Sequence, residues 1–580
     1  MTSEINPQLA TGDASAILEP AYAPKIGEPR GEGQRVAIIV NHGMGQQVPY
    51  ETIEGVAKAV WQGAQKKNET TASRSLIRRV RLGTQGKDDV ETELVRAEIQ
   101  IQHEEKTFDV HIYESYWAPL TEGKVALKDV MAFLYDAGWN GFMNTKARKG
   151  YQRWMFNAWQ HFSLPRFRLL LTLGALMLLL LALVFMNAVL AAAAASHVIG
   201  GSGTFPGNFT APLTADFIVA DLAAILISLG VLVPWLCKKA TNRECIPQCI
   251  SWLGWALIAP GALLILLAAL AMALRLATGW SLPWPYVSAW AAWLAQGSNS
   301  PVRSFGISLL WGLELLAAYA ARWFLIEYVG DVTAYIAAHT VSKFYELRQQ
   351  IWQTAMKVAR AVYRAQADPK PGSDCPGFLY ENIIVVGHSL GSVIGYDVLN
   401  GLLLEDAFSK QPLEIARRTR MFLTFGSPLD KTDFLFRTQA DMCSSVREVA
   451  AAAVQPMIQN YENRPKEWVN LYSKSDIISG ALDYYDPPDR HNAKGEVQFR
   501  IPPTLPEMLK PVRNERDPDA RTPLAAHVEY WTGELFAKEL VDAITTRDPQ
   551  VAHAQLPGCR ILDYFHSLKL FPTHGHHPPG

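Results

Sequence analysis

Ile383-Ile-Val-Val-Gly-His-Ser-Leu-Gly-Ser392 is the stretch on which the reading of this chain turns. Ile383 to Val386 is a short apolar run, read as a buried strand, and Ser392 to Leu404 reads as a helix. Between them, Gly387-His-Ser-Leu-Gly391 matches the pattern G-x-S-x-G. The pentapeptide alone recurs by chance; between a strand and a helix it has a mechanical meaning. Its two glycines permit a strained turn that lifts the Ser389 hydroxyl above the sheet edge, close to the positive end of the following helix. Ser389 is therefore the candidate nucleophile, set against the plainer reading of a serine in a tight turn.

A serine hydroxyl needs a base, an orienting acid and donors for the oxyanion. Such elbows take the chain order Ser, acid, His. Asp476, in Ser473-Lys-Ser-Asp-Ile-Ile-Ser479, directly follows the strand-like Trp468-Val-Asn-Leu-Tyr472, where sites at the C-terminal edge of parallel sheets form. Asp483 and Asp486 are its local rivals, and the plainer reading of Asp476 is a loop or capping residue. His527, in Ala525-Ala-His-Val-Glu-Tyr-Trp531, comes after the last expected strand and before a closing helix, so it is the expected base. His491 precedes that strand and ranks second, while His388, inside the elbow, is expected to pack rather than react. The backbone N–H of Leu390 and one from the turn Asn41-His-Gly-Met-Gly45 are the expected oxyanion donors. Met44, immediately after His42-Gly43, is the preferred second donor, although the same residues also suit a plain turn.

Around these motifs, Arg35-Val-Ala-Ile-Ile-Val40 reads as a buried strand, and Leu94–Gln102 with Thr107–Tyr113 as a hairpin. A long helix is expected from Asp331 to about Ala365, with Val332, Ile336, Phe344, Leu347, Ile351, Val358 and Val362 on its apolar face. A Pro/Gly-rich break at Asp368–Gly377 precedes strands expected at Ile383–Val386, Met421–Phe425, Trp468–Tyr472 and Val497–Ile501. Short strands separated by helix-length segments predict an α/β fold with a mainly parallel sheet.

The residues Val40-Asn-His-Gly-Met-Gly-Gln46, Tyr113-Glu-Ser-Tyr-Trp-Ala-Pro119, Tyr328-Val-Gly-Asp331, Gly387-His-Ser-Leu-Gly-Ser392, Phe425-Gly-Ser-Pro-Leu429 and His527-Val-Glu-Tyr-Trp531 carry a resemblance. The chain resembles the α/β-hydrolase serine esterases and lipases, closest to the branch of GPI inositol-deacylase-like and bacterial membrane-associated lipase-like proteins. The resemblance spans the soluble parts, not the apolar segments. It implies an α/β-hydrolase fold and hydrolysis of a small-molecule or lipid ester through an acyl-enzyme, with no metal or cofactor. A thioesterase or amidase would use the same residues, and a non-catalytic membrane scaffold with a hydrolase-like domain is the rival from another class.

The insertion between the two soluble parts is apolar. No charge occurs between Arg168 and Asp216, and at ~1.5 Å per residue the run Leu169–Ser196 reaches ~42 Å, beyond the ~30 Å hydrocarbon core. Further spans are expected at Phe217–Cys237 and Ile246–Leu274. A fourth, Ser304–Ile326, carries Glu314 near its middle, a costly depth for a carboxylate. Because the strands before and after the insertion must share one sheet, the number of spans has to be even, which favours four. Glu314 is then expected to face the bundle interior, and Asp221 to pair with Arg275. Lys146, Arg148, Lys149, Arg153, Arg166 and Arg168 precede the first span, and Lys238, Lys239 and Arg243 follow the second. The positive-inside rule therefore places the soluble parts and the middle connection of this multi-pass protein in the cytoplasm, and a bacterial inner membrane is the expected location. Trp280, Trp284, Trp290 and Trp293 read as an outer aromatic belt.

The expected organisation is a disordered leader at 1–30, hydrolase segments at 31–120 and 328–569, amphipathic interfacial or lid helices at 121–165, the membrane insertion at 166–327 and a tail at 570–580. Over the 580 residues, 54 Lys and Arg meet 55 Asp and Glu, giving a formal net charge of −1. No basic surplus points to nucleic acid and no acidic surplus to disorder. With 49% hydrophobic and 19% charged residues the chain is partly membrane-like, yet its mean hydropathy is only +0.02, so the apolar excess is local. Six scattered cysteines fit reduced thiols better than a disulfide framework, and Cys245 with Cys249 lacks a nearby His to complete a zinc site. Asn208-Phe-Thr210 is a sequon expected on an outer loop, and the His574-Gly-His-His577 tail reads as disordered rather than metal-binding. The lipid bilayer is the expected partner; the sequence leaves the oligomeric state open.

Overall fold

The computed structural model describes residues 33–43, 48–73, 75–82, 92–130, 132–133, 171, 174–175, 177–189, 207–241, 247–280, 284, 287–289, 292, 316, 319, 330–336, 342–367, 377–436, 455–459, 464–482, 485, 510–523 and 525–546. Within them, strands β1 (Gln34–Asn41), β2 (Thr70–Ala72), β3 (Leu76–Leu82), β4 (Thr92–His103), β5 (Lys106–Ser115), β6 (Asn382–His388), β7 (Thr419–Phe425), β8 (Glu467–Tyr472) and β9 (Val512–Arg516) form one nine-stranded sheet. Its order is β2-β4-β5-β1-β6-β7-β8-β9, with β3 also paired to β4. The strands from β5 through β1 to β9 are mutually parallel, and β2, β3 and β4 make an antiparallel margin. The fold is thus mixed α/β with a mostly parallel sheet.

The pairing of β1 with β6 joins the two ends of the chain. Val36 to Asn41 lie in register with Asn382 to Gly387. Both strands are buried on both faces, and their alternation assigns side chains to two cores. Val36, Ile38, Val40, Ile384 and Val386 point to one side, where helices α1 (Glu51–Lys66) and the C-terminal Glu534–Thr545 contribute Ile53, Val56, Val60, Leu540 and Ile544. Ala37, Ile39, Ile383 and Val385 point to the other, against Ile351, Val362, Val393 and Leu399 from the helices Ser342–Arg364 and Leu390–Phe408. Each large apolar side chain so buried is worth about 1.5–3 kcal/mol, which is why a sheet assembled from distant segments holds together.

Between β5 and β6 in the chain lie helices α2 (Gly207–Thr241) and α3 (Gln248–Thr278). Among the described residues, Ala215–Lys239 within α2 and the whole of α3 are long and apolar enough to cross a membrane, and Met177–Val189 is a shorter apolar helix. The pair packs backbone to backbone: a Cβ on Gly230 would lie 2.7 Å from the Gly254 carbonyl oxygen, and one on Gly254 2.6 Å from that of Gly230. Small residues at such a crossing let the two helix backbones approach closely. In chain order, α4 (Ser342–Arg364), α5 (Leu390–Phe408) and α6 (Glu534–Thr545) complete the main helices.

Several details differ from the sequence expectations. Arg275 pairs with Asp216, at 2.7 Å from Nη2, rather than with Asp221, and Trp284 Nε1 donates to the same carboxylate at 2.7 Å. Asp221 lies five residues further along α2, about 140° round the helix at 100° per residue, which turns it away from the face carrying Asp216. The sequon Asn208-Phe-Thr210 falls in the first turn of α2 and not in a loop. The last strand of the sheet is β9, Val512–Arg516, whose exposed and half-buried polar side chains hide it from a hydropathy reading. The expected strand Val497–Ile501 lies outside the described residues, as do Glu314, most of the first and fourth expected spans, the helices beyond residue 133, and both termini. Residues 330–336 and α4 account for the long helix, with Phe344, Leu347, Ile351, Val358 and Val362 buried as one face.

Candidate active site

At the C-terminal edge of the sheet, β6 ends at His388 and α5 begins at Leu390, with Ser389 alone between them. Ser389 has φ 52° and ψ −127°, a conformation in which an L-residue is strained. The turn closes so tightly that a Cβ on Gly391 would lie 2.1 Å from the Asn41 carbonyl oxygen, and one on Gly387 2.5 Å from Ser392 Cα. Hydrogen bonds pin it from below. Ser389 N–H donates to the Phe425 carbonyl at 3.1 Å, and the Ser392 hydroxyl donates to the Ser389 carbonyl at 2.5 Å while pairing with Ser427 Oγ at 2.7 Å.

The loops after β8 and β9 bring two further side chains to this turn. His527 Nε2 lies 2.9 Å from Ser389 Oγ, and His527 Nδ1 lies 3.0 Å from Asp476 Oδ2. A carboxylate only accepts, so Nδ1 carries the proton and the Nε2 lone pair faces the serine hydroxyl. Asp476 is held from two more directions: Ile478 N–H donates to Oδ1 at 2.8 Å and the Tyr530 hydroxyl donates to Oδ2 at 3.1 Å, with Tyr530 in turn meeting Ser479 Oγ at 2.9 Å. Burial alone would raise the Asp476 carboxyl, but His527 beside it and the Ile478 and Ser479 donors outweigh that and hold it at about 2. Tyr530 is pushed far above the ordinary phenol range by burial and the Asp476 charge, so it remains a donor. Ser389 is fully buried, the Asp476 side chain 1% exposed and the His527 side chain 14% exposed, so solvent reaches the group through the imidazole side.

A second layer orients the first. His388 Nε2–H donates to the backbone carbonyl of His527 at 2.9 Å, its ring lying against Phe425, His527 and Trp531. Burial and the neighbouring His527 lower His388 to about 3, so it is neutral and structural, in keeping with a packing role. His42 Nδ1–H donates to the Gly43 carbonyl at 2.8 Å, and its Nε2 accepts from Trp117 N–H at 3.1 Å while the two rings stack at 4.5 Å. Burial lowers His42 to about 4, which fixes this single neutral tautomer. Gly43 lies directly against the serine: a Cβ there would be 3.0 Å from Ser389 Cβ. Leu390 is the first residue of α5, so its N–H has no acceptor within the helix.

Met44, Asp483, Asp486 and His491 lie outside the described residues. Tyr530, Trp117 and Ser427 were not singled out as site residues from the sequence, because their contributions depend on partners 51, 75 and 35 positions away. All three fall inside motifs that carry the resemblance, which is the available signal. Among the described residues no cluster of three or more His, Cys, Asp or Glu could hold a metal ion, and neither Cys237 nor Cys249 is in a disulfide. Chemically, a serine hydroxyl donating to a neutral imidazole, itself donating to an ionised carboxylate, can deliver an alkoxide-like nucleophile at neutral pH. No protein-family model, curated protein or solved structure matches the chain.

Proposed function

We propose that the protein is a serine hydrolase of the α/β-hydrolase fold that cleaves carboxylic esters, including lipidic ones. The observation that carries this reading is the continuous path Ser389 Oγ, His527 Nε2, His527 Nδ1, Asp476 Oδ2 at the C-terminal edge of a parallel sheet. Ser389 attacks the ester carbonyl as His527 takes its proton, and the Asp476 carboxylate stabilises the imidazolium. The tetrahedral oxyanion is received by the Leu390 amide and, as second donor, that of Met44, each worth about 3 kcal/mol to the transition state. His527 returns the proton to the departing alcohol, leaving an acyl-Ser389. Water, deprotonated by His527, then attacks this acyl-enzyme and releases the acid with Ser389 restored.

The anchor is four transmembrane helices: α2, α3 and the apolar segments 169–196 and 304–326. The adjacency of β1 and β6 supports an even number of crossings, since both strands stand on one side of the bilayer. The basic residues flanking the spans support a cytoplasmic side. The two long apolar helices support a substrate that partitions into membranes, as does the 61% exposed Val528 next to His527. Hydrolysis of p-nitrophenyl acetate, octanoate and palmitate by the full chain in mixed micelles tests the reading. Turnover rising with acyl length, and reduced to background in Ser389→Ala, is expected; a folded wild type inert on every ester would overturn it.

A further inference from the structure

His527 is useful only while its ring stands between Ser389 and Asp476, so what holds its loop decides the geometry. That loop runs from Arg521 into the short helix Ala526–Glu529, and the Glu529 carboxylate closes it. Oε2 accepts from the N–H groups of Arg521 and Thr522, both at 3.0 Å, and Oε1 accepts from Thr522 Oγ at 2.6 Å. The same Oε1 accepts from Lys238 Nζ at 2.8 Å, with the two side chains 9% and 21% exposed. Lys238 belongs to the last turn of α2. The facing end of α3 grips the loop as well: Ser251 Oγ donates to the Arg521 carbonyl at 2.8 Å, and Gly254 makes room for Pro523, whose Cγ would stand 2.8 Å from a Cβ there. Two apolar helices thus meet one short loop at three points, all of them between Arg521 and Glu529.

We propose that the α2–α3 hairpin is a brace for the catalytic base, with Lys238 and Glu529 as positioning residues that transmit the seating of the membrane unit to His527. The inference rests on the serine hydrolase reading and deepens it. Glu529 binds the start of this segment, Arg521 and Thr522, through neutral donors and needs a cation to offset its burial; Lys238 supplies that cation from the hairpin. A loop released from this contact lets the imidazole drift, and a displacement of about 1 Å at a reacting group costs up to about 100-fold in rate. Lys238 and Glu529 are not among the groups that attack, receive or protonate the ester, so the effect is expected on the chemical step.

The test uses purified full-length protein in detergent with p-nitrophenyl acetate, a soluble ester that does not need the bilayer. Lys238→Met is expected to lower kcat about tenfold with KM changed by less than about twofold. Lys238→Arg, which keeps the charge, is expected to recover most of the loss, and Ser251→Ala added to Lys238→Met to deepen it. Labelling of Ser389 by a fluorophosphonate should slow in parallel, while size-exclusion elution stays that of the folded wild type. Full kcat in Lys238→Met, or a Lys238→Arg as impaired as Lys238→Met, would overturn the brace while leaving the hydrolase reading intact. A folded wild type that neither turns over nor labels would overturn the hydrolase reading, and the brace with it.

Discussion

His388 Nε2–H donates to the main-chain carbonyl of His527 at 2.9 Å, tying the residue before the serine to the backbone of the residue whose ring faces it. The two halves of the candidate site are therefore aligned by a direct bond and not only by the sheet. His388→Phe should fold, because the pocket is aromatic, yet lose about tenfold in kcat with KM little changed. His388→Gln, which keeps an N–H donor, should lose less. Since burial and His527 hold His388 at about 3, it stays neutral above about pH 4, and the pH midpoint of either variant should match wild type. Steady-state kinetics across pH check all three expectations.

Asp476 contributes stability with a definite pH signature. Its folded-state value, about 2, lies below the ordinary 3.8. The folded state thus binds the proton less tightly than the unfolded chain, and the stabilisation is complete above about pH 4 and lost as pH falls through about 2. Asp476→Asn should cost on the order of 2 kcal/mol at neutral pH and converge with wild type in strong acid. The same substitution disturbs the His527 tautomer and should cut kcat by about 10³–10⁴-fold. Unfolding midpoints in detergent as a function of pH, set beside ester kinetics, measure both.

Asp517, at the end of β9, carries the opposite sign. It is 1% exposed, Oδ1 accepts from the N–H groups of Asp519 and Ala520, and Oδ2 is buried with no hydrogen-bond partner among the described residues. Burial raises its carboxyl to about 6. The penalty of ionising it is absent below about pH 4, grows through about pH 6 and is complete above. Asp517→Asn is expected to stabilise the protein by on the order of 2 kcal/mol at about pH 8 and to have no effect near pH 4. Thermal unfolding at the two pH values gives the comparison.

The elbow should be intolerant where backbone meets backbone. Gly391→Ala would set a methyl 2.1 Å from the Asn41 carbonyl oxygen, in a strand that cannot retreat without breaking its pairing with β6. A loss above about 4 kcal/mol, seen as failure to yield monodisperse protein, is expected. Gly395→Ala, one turn later, meets the Phe422 ring at 3.1 Å and should remain folded.

The features legible from sequence are those set by local constraint. Ile383–Val386 and Gly387–Gly391 announce a strand and a strained turn because the chain has to make that turn within five residues. Asp476 and His527 could be singled out because parallel strands deliver their loops to one edge, and the structure brings both to Ser389. What escaped is non-local or solvent-facing. Strand β9, Val-Arg-Asn-Glu-Arg, lies at the sheet margin with one buried apolar side chain, so it carries no strand-like hydropathy. The pairing of Arg275 with Asp216 depends on which face of α2 meets α3, and the Lys238–Glu529 contact spans 291 positions. The Tyr530 hydroxyl acquires a role only once Asp476 lies 3.1 Å away.

The central claim is that Ser389 is a nucleophile activated by His527. Its most direct test is to react the full-length protein in detergent with a fluorophosphonate and map the adduct by peptide mass. One stoichiometric adduct is expected, on Ser389, absent in Ser389→Ala and slowed at least about 100-fold in His527→Ala. A folded protein without an adduct, or an adduct on another residue that survives Ser389→Ala, would contradict it.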